Sequence, residues 1–596
     1  MPKKPDRDRV RLMDAETGTI HKEHGGRISV ALIYPNTYHV GMSNLGFQTV
    51  YRILNELDGV VCERAFLPET PPSATKALST LESGKALTAF DIAAFSISFE
   101  NDFPNVLTIL DAAHLPLRAA DRDSRRPLVA AGGAACLLNP EPIAAFIDCF
   151  LIGEAEDLLP RFMDLFEPHD DREAWLLEST QQMSGLYVPA FYEDRYNPDN
   201  TFKALKSKPG PPQRVTRAYL ADLSRLHTRS TILTPHTTFD QTFLVEVSRG
   251  CPHGCRFCAA GFVYRPPRFR SPEDLADCIR DDCLSTTPPA KKTPIKKTRT
   301  NKTRTHKIGL VGAAVSDLPG LEDLCSAITR DGTEISFSSL RADALSDELL
   351  TQLKKSSVKT ATIAPDAGSE RMRACINKGL SEKEILEATA KLVSAGIPNL
   401  KLYFMIGLPF ETMQDVDAIV TLCKKIKRAF LESSRNMGRI GEITVSLNAF
   451  VPKPHTPFQW APMEAVPVLK KKIKRIRQAL GNVPNLTVQA DVPRGAYLQA
   501  LFSRGDRRVA DILLSGRDHQ WNWAETLKTS AIDPDFYVNR QRGDGEVFPW
   551  DFIDHGIQKP FLLAEYKRAQ KGKKTRECDP RTCTMCGVCP SPSQPQ

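Results

Sequence analysis

The chain has 596 residues, with 79 Lys and Arg against 71 Asp and Glu and a net charge of +8. The eight cations within 291–307 equal that whole excess, so the charge does not indicate a nucleic-acid surface over the rest of the molecule. The charged first residues resemble no secretory signal, and no apolar run is long enough to span a membrane, so we expect a cytoplasmic protein without membrane contact.

Residues 1–20 are polar and predict a loose arm. Between 21 and 204, strand-like apolar runs alternate with helix-like stretches; the runs lie at 28–34, 91–98, 127–132 and 146–152. Strands that alternate with helices predict a parallel sheet covered on both faces, so we predict a doubly wound, Rossmann-like α/β domain. Ligands of such domains bind at the carboxyl ends of the strands.

A linker is predicted at 205–235, and a second alternating series at 236–463. Its strand-like runs lie at 243–248, 308–312, 334–340, 358–364, 399–406 and 442–450. Six strand–helix units predict a partial (β/α)6 barrel, whose chemistry belongs at the carboxyl ends of its strands. Helix-start signals occur at Ser271-Pro272, at Ser381 with Glu384, and at Thr412 with Asp415.

The basic segment 287–307 interrupts the barrel and has almost no apolar residues, which is typical of a solvated insertion. An RNA-contacting arm is the alternative. Beyond the barrel we predict a C-terminal domain at 464–565 and a polar, cysteine-rich tail at 566–596. The domain opens with a helix over 464–480, whose apolar stripe is Leu469, Ile473, Ile476 and Leu480.

Seven of the fifteen cysteines fall in two clusters, which in a reducing compartment are more often metal ligands than disulfides. The first cluster is Cys251, Cys255 and Cys258, directly after a predicted strand. Three thiolates on one loop can hold a 4Fe–4S cluster and leave one iron open to a small molecule. Zinc is the alternative and would need a fourth ligand, such as His253 or Cys278. The place of the loop at the end of the first barrel strand favours the iron–sulfur cluster.

The second cluster is Cys578, Cys583, Cys586 and Cys589, followed by Pro590. Four cysteines in twelve residues can close an all-thiolate site. The C-x4-C-x2-C spacing and the Cys-Pro pair both recur in ferredoxin-type sequences, which favours a second iron–sulfur cluster. Zinc also accepts four thiolates and stays open as the alternative.

The spacing Cys251-x3-Cys255-x2-Cys258, with Phe257 before the last cysteine, resembles the signature of the radical S-adenosylmethionine (SAM) superfamily. Within it, the chain resembles a poorly characterised family with an N-terminal cobalamin-binding-like domain and a C-terminal extension. The segments that carry this wider resemblance are 34–46, 248–262, 309–319, 363–373, 407–412 and 450–460.

The resemblance implies that Cys251, Cys255 and Cys258 bind the cluster and that SAM chelates its open iron. A reductant such as flavodoxin or ferredoxin would supply one electron, and SAM would yield a 5′-deoxyadenosyl radical that abstracts hydrogen from a substrate. The positions that correspond to SAM contacts are Gly312 and Ala313 near the methionine, Ser369 and Glu370 near the ribose, and Gly407 and Pro409 near the adenine. Arg341 matches a partner for the SAM carboxylate or a surface ion pair, and Gly407 to Pro409 suit a tight turn equally well.

A histidine that ligates cobalamin usually stands in D-x-H-x-x-G, and the residues around His39 do not meet that pattern. Cobalamin held without a histidine stays open. Three functions follow: a radical SAM enzyme that modifies a C–H position, by methylation among other reactions; a methylthiotransferase-like enzyme acting on RNA or protein; and a non-catalytic Fe–S electron carrier. The substrate is not readable from the sequence.

Overall fold

The computed structural model describes residues 7–68, 77–167, 171–284, 307–329, 332–337, 340–435 and 440–589. Within these ranges, none of the helices combines the length and the apolar character that crossing a bilayer requires. The basic segment predicted at 287–307 lies outside the described residues except for Lys307, which begins a strand.

The N-terminal region is built on one six-stranded sheet. Its strands in chain order are β1 (Ile28–Tyr34), β2 (Val60–Phe66), β3 (Ile92–Ser96), β4 (Leu128–Gly132), β5 (Cys149–Leu151) and β6 (Leu186–Tyr187). They lie in the order β2-β1-β3-β4-β5-β6, and only β6 runs antiparallel to its neighbour. After β1 the chain forms β2 on one side of that strand and then crosses to form β3 on its other side. In a doubly wound fold, this reversal places the ligand-binding crevice at the carboxyl ends of β1 and β3. The predicted fold class is confirmed.

Helices cover both faces of this sheet, because its strands are apolar almost throughout and β2 has every residue buried. The helices are α1 (Arg7–Asp14), α2 (Tyr38–Met42), α3 (Leu45–Glu56), α4 (Phe103–Ala112), α5 (Ala134–Leu138), α6 (Ala155–Leu165) and α7 (Arg172–Gln182). Strand β2 was not predicted, because Glu63 and Arg64 interrupt its apolar pattern. Both are buried, and Arg64 pairs with Glu16 at 2.7 Å and with Glu82 at 2.6 Å.

Residues 7–20 differ from the expected loose arm. Residues 7–14 form α1, and both side chains of the Arg64–Glu16 pair are fully buried. An ion pair without solvent holds its two segments together, because either charge alone would be costly to bury. The segment predicted as a linker also contains secondary structure. Strands β7 (Tyr192–Tyr196) and β8 (Phe202–Ser207) form a hairpin whose second strand extends into this segment. Strand β9 (Val215–Thr216) lies within it and pairs with residues 553–554 near the C-terminus.

Among its described residues, the barrel region contains seven parallel strands in two sheets. The first sheet holds β10 (Phe243–Glu246), β13 (Lys307–Val311) and β14 (Glu334–Phe337); the second holds β15 (Thr360–Asp366), β16 (Asn399–Ile406), β17 (Ile443–Ala449) and β18 (Leu486–Ala490). A short ribbon of β11 (Ser248–Arg249) and β12 (Arg268–Phe269) follows β10. Six of the parallel strands were predicted, whereas β18 lies inside the predicted C-terminal domain. Domain boundaries therefore stay a prediction.

Helices alternate with these strands and continue beyond them. They are α8 (Ala260–Val263), α9 (Pro272–Leu284), α10 (Leu321–Thr329), α11 (Asp347–Lys355), α12 (Glu370–Cys375), α13 (Glu382–Ser394), α14 (Met413–Ser434), α15 (Val466–Leu480), α16 (Pro493–Arg504), α17 (Val509–Asp518), α18 (Trp523–Thr529), α19 (Pro534–Val538) and α20 (Lys559–Gln570). The last strand, β19 (Ile553–Asp554), pairs with β9, so the C-terminal region closes against the segment predicted as a linker.

Candidate active site at the barrel edge

The cysteine loop begins where the first barrel strand ends. Strand β10 leads through β11 into Gly250, whose φ of +82° and close approach to the Tyr264 carbonyl suit glycine alone. Cys255 is buried, and Cys251 and Cys258 are half-buried. Each of the three thiols lies within electrostatic reach of another. The structure therefore brings the three predicted ligands together at the carboxyl edge of the barrel sheet.

Burial is the main influence on these thiols. It raises the pKa of Cys251 to about 11 and of Cys255 to about 12, and it also raises the pKa of Cys258. Thiols bind metal as thiolates, so loading this loop releases protons. Among the described residues, no group of three His, Cys, Asp or Glu side chains converges on one ion position. A 4Fe–4S cluster does not require three ligands at one ion position, because each of its cysteines binds a different iron.

A buried ion pair lies beside the thiols. Lys378 donates to Asp366 at 2.7 Å, and both side chains are nearly covered. Burial by itself lowers the pKa of Lys378, but Asp366 and the Cys255 thiol outweigh it and raise that pKa. Asp366 ends β15 with a φ of +60°, which aspartate tolerates better than most residues. Sequence reasoning assigned neither residue, because nothing local marks their contact.

Arg341 lies on the same side of the loop. It makes a two-pronged contact with Asp343 at 3.0 and 2.6 Å, and its side chain is only 13% exposed. Burial lowers the pKa of Arg341, but Asp343 outweighs it, and the charge also acts on Cys251 and Cys255. Two roles were predicted for Arg341, an ion pair at the surface or a partner for the SAM carboxylate. The ion pair is present, with Asp343, and it is partly buried. Contact of Arg341 with the SAM carboxylate stays a prediction.

His253, weighed as a fourth zinc ligand, is held between two carboxylates. Its Nε2 lies 2.6 Å from Asp317 Oδ2 and its Nδ1 lies 2.8 Å from Glu577 Oε1. Both ring nitrogens are therefore engaged away from the thiols. The contacts tie the loop to the segment after β13 and to the C-terminal tail.

Two cavities open where the N-terminal sheet faces the barrel. The first measures 540 Å³, and its lining includes Ser96, Gly132, Gly133, Gly153 and Glu154 from the N-terminal region and Ser248, Gly250, Tyr264, Gly312 and Ala313 from the barrel. The second measures 570 Å³ and touches Phe257 of the cysteine loop, Asn448 near the end of β17, and Phe99. The cysteine loop thus contributes Phe257 to the second cavity, whereas the first is lined by Gly250 and Ala260 on either side of the loop. Each cavity is large enough for a small-molecule ligand.

Family models match two segments of the chain. Residues 46–189 match the N-terminal region of radical SAM proteins, and residues 292–423 match the radical SAM superfamily. Both matches are to regions of radical SAM proteins. The three cysteines at 251–258 lie between the matched segments. The uncharacterized protein MJ0966 of Methanocaldococcus jannaschii is 28% identical over 535 residues, which are 90% of this chain and 99% of that protein.

Two solved structures of radical SAM proteins are similar at low identity. One is the methyltransferase TsrM from Kitasatospora setae, with cobalamin and a [4Fe-4S] cluster bound; it is 12% identical, covers 83% of this chain and 100% of its own, and has a TM-score of 0.47. The other is the cobalamin-dependent enzyme OxsB, at 14% identity, 66% and 51% coverage and a TM-score of 0.41.

Among the radical SAM positions assigned from the sequence, Gly312 and Ala313 line the first cavity after β13. Gly407 has a φ of +75°, and a Cβ there would approach Leu469 to 2.7 Å. Its N–H donates to Glu411 at 2.8 Å, and the Pro409 carbonyl faces the Cys375 thiol at 3.7 Å. The tight-turn role of this segment is therefore present, and its adenine-side role stays a prediction.

Ser369 and Glu370 begin α12. The Ser369 hydroxyl accepts from the Met372 N–H at 3.1 Å and donates to Asp415 at 2.6 Å. Glu370 is exposed and accepts from the Glu382 N–H at 3.2 Å. Both side chains thus have structural partners at the start of the helix. Their contact with the SAM ribose stays a prediction.

His39, weighed as a cobalamin ligand, is exposed on α2. Its Nε2 lies 3.2 Å from the Thr238 hydroxyl. The residue is not among those that line the first cavity. The hydrogen-bonding role weighed for His39 from the sequence is therefore present.

Proposed function

We propose that this chain is a radical SAM enzyme whose 4Fe–4S cluster is bound by Cys251, Cys255 and Cys258 and whose product is a C–H-modified substrate. When bound, the cluster supplies the electron that cleaves SAM to methionine and a 5′-deoxyadenosyl radical. The observation that carries the proposal is the set of three gathered thiols at the carboxyl edge of a parallel barrel sheet, where active sites of such barrels lie.

The charges around the loop support this role. Lys378 and Arg341 are cations within reach of the thiols, and each already balances one carboxylate. A cation near a cluster favours the reduced, more negative state, and a guanidinium suits a carboxylate ligand such as that of SAM. The three cysteines leave one iron without a protein ligand, and Arg341 is the partner we assign to the SAM carboxylate.

The two cavities supply room for SAM and for a second ligand. Small residues line the first cavity at the carboxyl ends of β3 to β5, among them Ala94, Ser96 and Gly132. A flat, bulky group can lie against such an edge without any protein ligand to its metal. The described residues that line this cavity include no His, Cys or Met side chain, which suits a corrinoid held without His39. Such a corrinoid would extend the proposed reaction to cobalamin-dependent methylation.

The decisive test is cleavage of SAM. The full chain, purified anaerobically and reconstituted with iron and sulfide, is mixed with SAM and titanium(III) citrate, and 5′-deoxyadenosine is measured. We expect product from the wild type and background levels from the C251A/C255A/C258A variant. Cys423→Ala is the matched control, because Cys423 is a buried thiol inside α14.

An iron-loaded wild type that forms no 5′-deoxyadenosine would contradict the proposal. The cobalamin extension is tested separately by incubating the same protein with hydroxocobalamin and recording the visible spectrum after gel filtration. About one retained corrinoid per chain is expected. If none is retained, the methylation variant is wrong, whereas SAM cleavage is unaffected.

A further inference from the structure

The cysteine-rich tail packs directly on the loop that holds the first three cysteines. The Cys578 N–H donates to the Pro252 carbonyl at 2.8 Å. Asn377 joins the same two segments: its amide donates to the Gly254 carbonyl at 3.1 Å and to the Thr575 carbonyl at 3.2 Å, and it accepts from the Thr575 N–H at 2.8 Å. The two cysteine motifs therefore meet through their backbones, although more than 300 residues separate them.

A buried ion pair fixes this contact. Arg256, inside the first motif, is fully buried and donates to the Glu565 carboxylate on α20 at 3.0 and 3.1 Å. The same guanidinium reaches the Lys573 carbonyl at 2.7 Å and the Thr575 hydroxyl at 3.1 Å. Because either charge would be unpaired if the segments separated, the tail is docked rather than loosely tethered.

The four tail cysteines are gathered at this contact. Cys578, Cys583 and Cys586 are buried, Cys589 is half-buried, and their thiols lie within electrostatic reach of one another. A small cavity is lined by Cys578 and Cys583 together with Gly254 of the first motif. Arg265 also lines it and acts on Cys578 and Cys589 as a nearby positive charge. Four thiols beside a cation suit an anionic iron–sulfur cluster.

Most exposed charged residues of the tail are basic. Its exposed cations are Lys567, Arg568, Lys571, Lys573, Lys574, Arg576 and Arg581. The carboxylates near them are the exposed Glu577 and the partly covered Asp579, together with Asp544, which pairs with Lys567, and Glu565, which pairs with Arg568. Glu577 is already in contact with His253. Met585, between two of the cysteines, is 42% exposed. Exposed cations and an exposed methionine near the four thiols suit an acidic protein that docks transiently.

We infer that the four tail cysteines hold a second iron–sulfur cluster through which electrons enter the enzyme from an acidic one-electron carrier. The inference rests on the proposed function. The carrier loses one electron and is oxidised, the tail cluster accepts that electron and passes it on, and the cluster at Cys251, Cys255 and Cys258 is reduced by one electron. No bond is made or broken, and SAM then consumes the electron.

The first experiment counts metals and spins in the full chain. We expect about eight irons per chain after reconstitution, and about four in either the C251A/C255A/C258A or the C583A/C586A variant. The EPR spectrum of the reduced wild type should show two clusters broadened by mutual coupling, and each variant should show one uncoupled signal. About four irons with one zinc in the wild type would overturn the inference and leave the radical SAM function intact.

The second experiment measures electron entry and does not depend on removing cysteines. Reduced flavodoxin and titanium(III) citrate are each used to reduce the wild type and K573E/K574E/R576E, and bleaching of the cluster absorbance is followed. The charge-reversed variant should be reduced at least about tenfold more slowly by flavodoxin, with a smaller salt dependence, and at the wild-type rate by titanium(III) citrate. The control is K470E/K471E/K474E, which changes three exposed lysines on α15.

Equal rates with flavodoxin for wild type, K573E/K574E/R576E and C583A/C586A would also overturn the inference. Failure of the proposed function looks different, because the wild type would then form no 5′-deoxyadenosine with titanium(III) citrate either.

Discussion

At the residue scale, Lys378 and Asp366 show how a pair of charges is retained beside the thiols. Each side chain is nearly covered, and the two meet at 2.7 Å. Burial raises the pKa of Asp366, and Lys378 counteracts that rise. A covered carboxylate is tolerated here because its partner is adjacent, so the pair acts as a unit in folding and near the cluster.

We predict that Lys378→Met lowers the free energy of unfolding by roughly 3–5 kcal/mol, because it leaves Asp366 charged and unpaired. Urea unfolding monitored by circular dichroism measures the loss. The K378M/D366N double variant should lose less than Lys378→Met alone, since no unpaired charge remains. A double variant as unstable as the sum of its single changes would show that the two residues do not act as a pair.

At the scale of single elements, helix starts follow local side chains. The Ser381 hydroxyl accepts from the Glu384 N–H at 3.2 Å, and the Glu384 carboxylate accepts from the Ser381 N–H at 2.7 Å. At the start of α14, Asp415 accepts from the Thr412 N–H at 2.9 Å and from its hydroxyl at 2.7 Å. Both start signals were predicted, because every partner lies within three residues.

Replacing Ser381 with Ala should therefore cost about 1 kcal/mol of stability, since one N–H at the start of α13 loses its partner. Ser381→Gly should cost less, because glycine leaves that N–H open to water. The shift of the urea midpoint measures both. Thr421→Ala, at an exposed position inside α14, serves as the control and should change the midpoint little. Equal effects at 381 and 421 would contradict the capping role.

At the scale of the whole molecule, His455 and His555 lie where three regions meet. Their rings are 4.2 Å apart, both are buried, and His555 Nε2 lies 3.1 Å from the Leu137 carbonyl of α5. Burial lowers the pKa of His455 to about 3 and lowers that of His555 as well; Lys559 and Arg214 act in the same direction on His455. The pair is therefore neutral in the folded protein.

These histidines make stability depend on pH. The unfolded chain takes up their protons near pH 6.5, whereas the folded chain does not until about pH 3 for His455. The stabilisation is thus complete above pH 6.5 and is lost as the pH falls below it, by about 1.4 kcal/mol per pH unit for each histidine. His455→Asn should flatten the decline of stability between pH 6 and 4 relative to wild type, whereas His21→Asn, at an exposed position, should not. Identical slopes in both variants would contradict this origin.

The sequence by itself determined the features that depend on neighbouring residues. Alternating apolar runs predicted the parallel sheets, because a strand buried on both faces must be apolar throughout. The capping boxes predicted the starts of α13 and α14, and the spacing of Cys251, Cys255 and Cys258 predicted one loop with three thiols. Strands β2 and β18 were missed, since β2 buries Glu63 and Arg64 and β18 alternates exposed residues with buried or half-buried ones.

Only the tertiary structure decided what surrounds that loop. Arg256 and Glu565 are 309 residues apart, and Lys378 reaches Asp366 across a helix; no local pattern records either contact. The docking of the tail follows from the same cause. Hydrogen bonds and ion pairs between distant segments form only once both segments are folded and water is excluded. A buried polar or charged group without a partner is then costly, so each group is stable only in contact with the other.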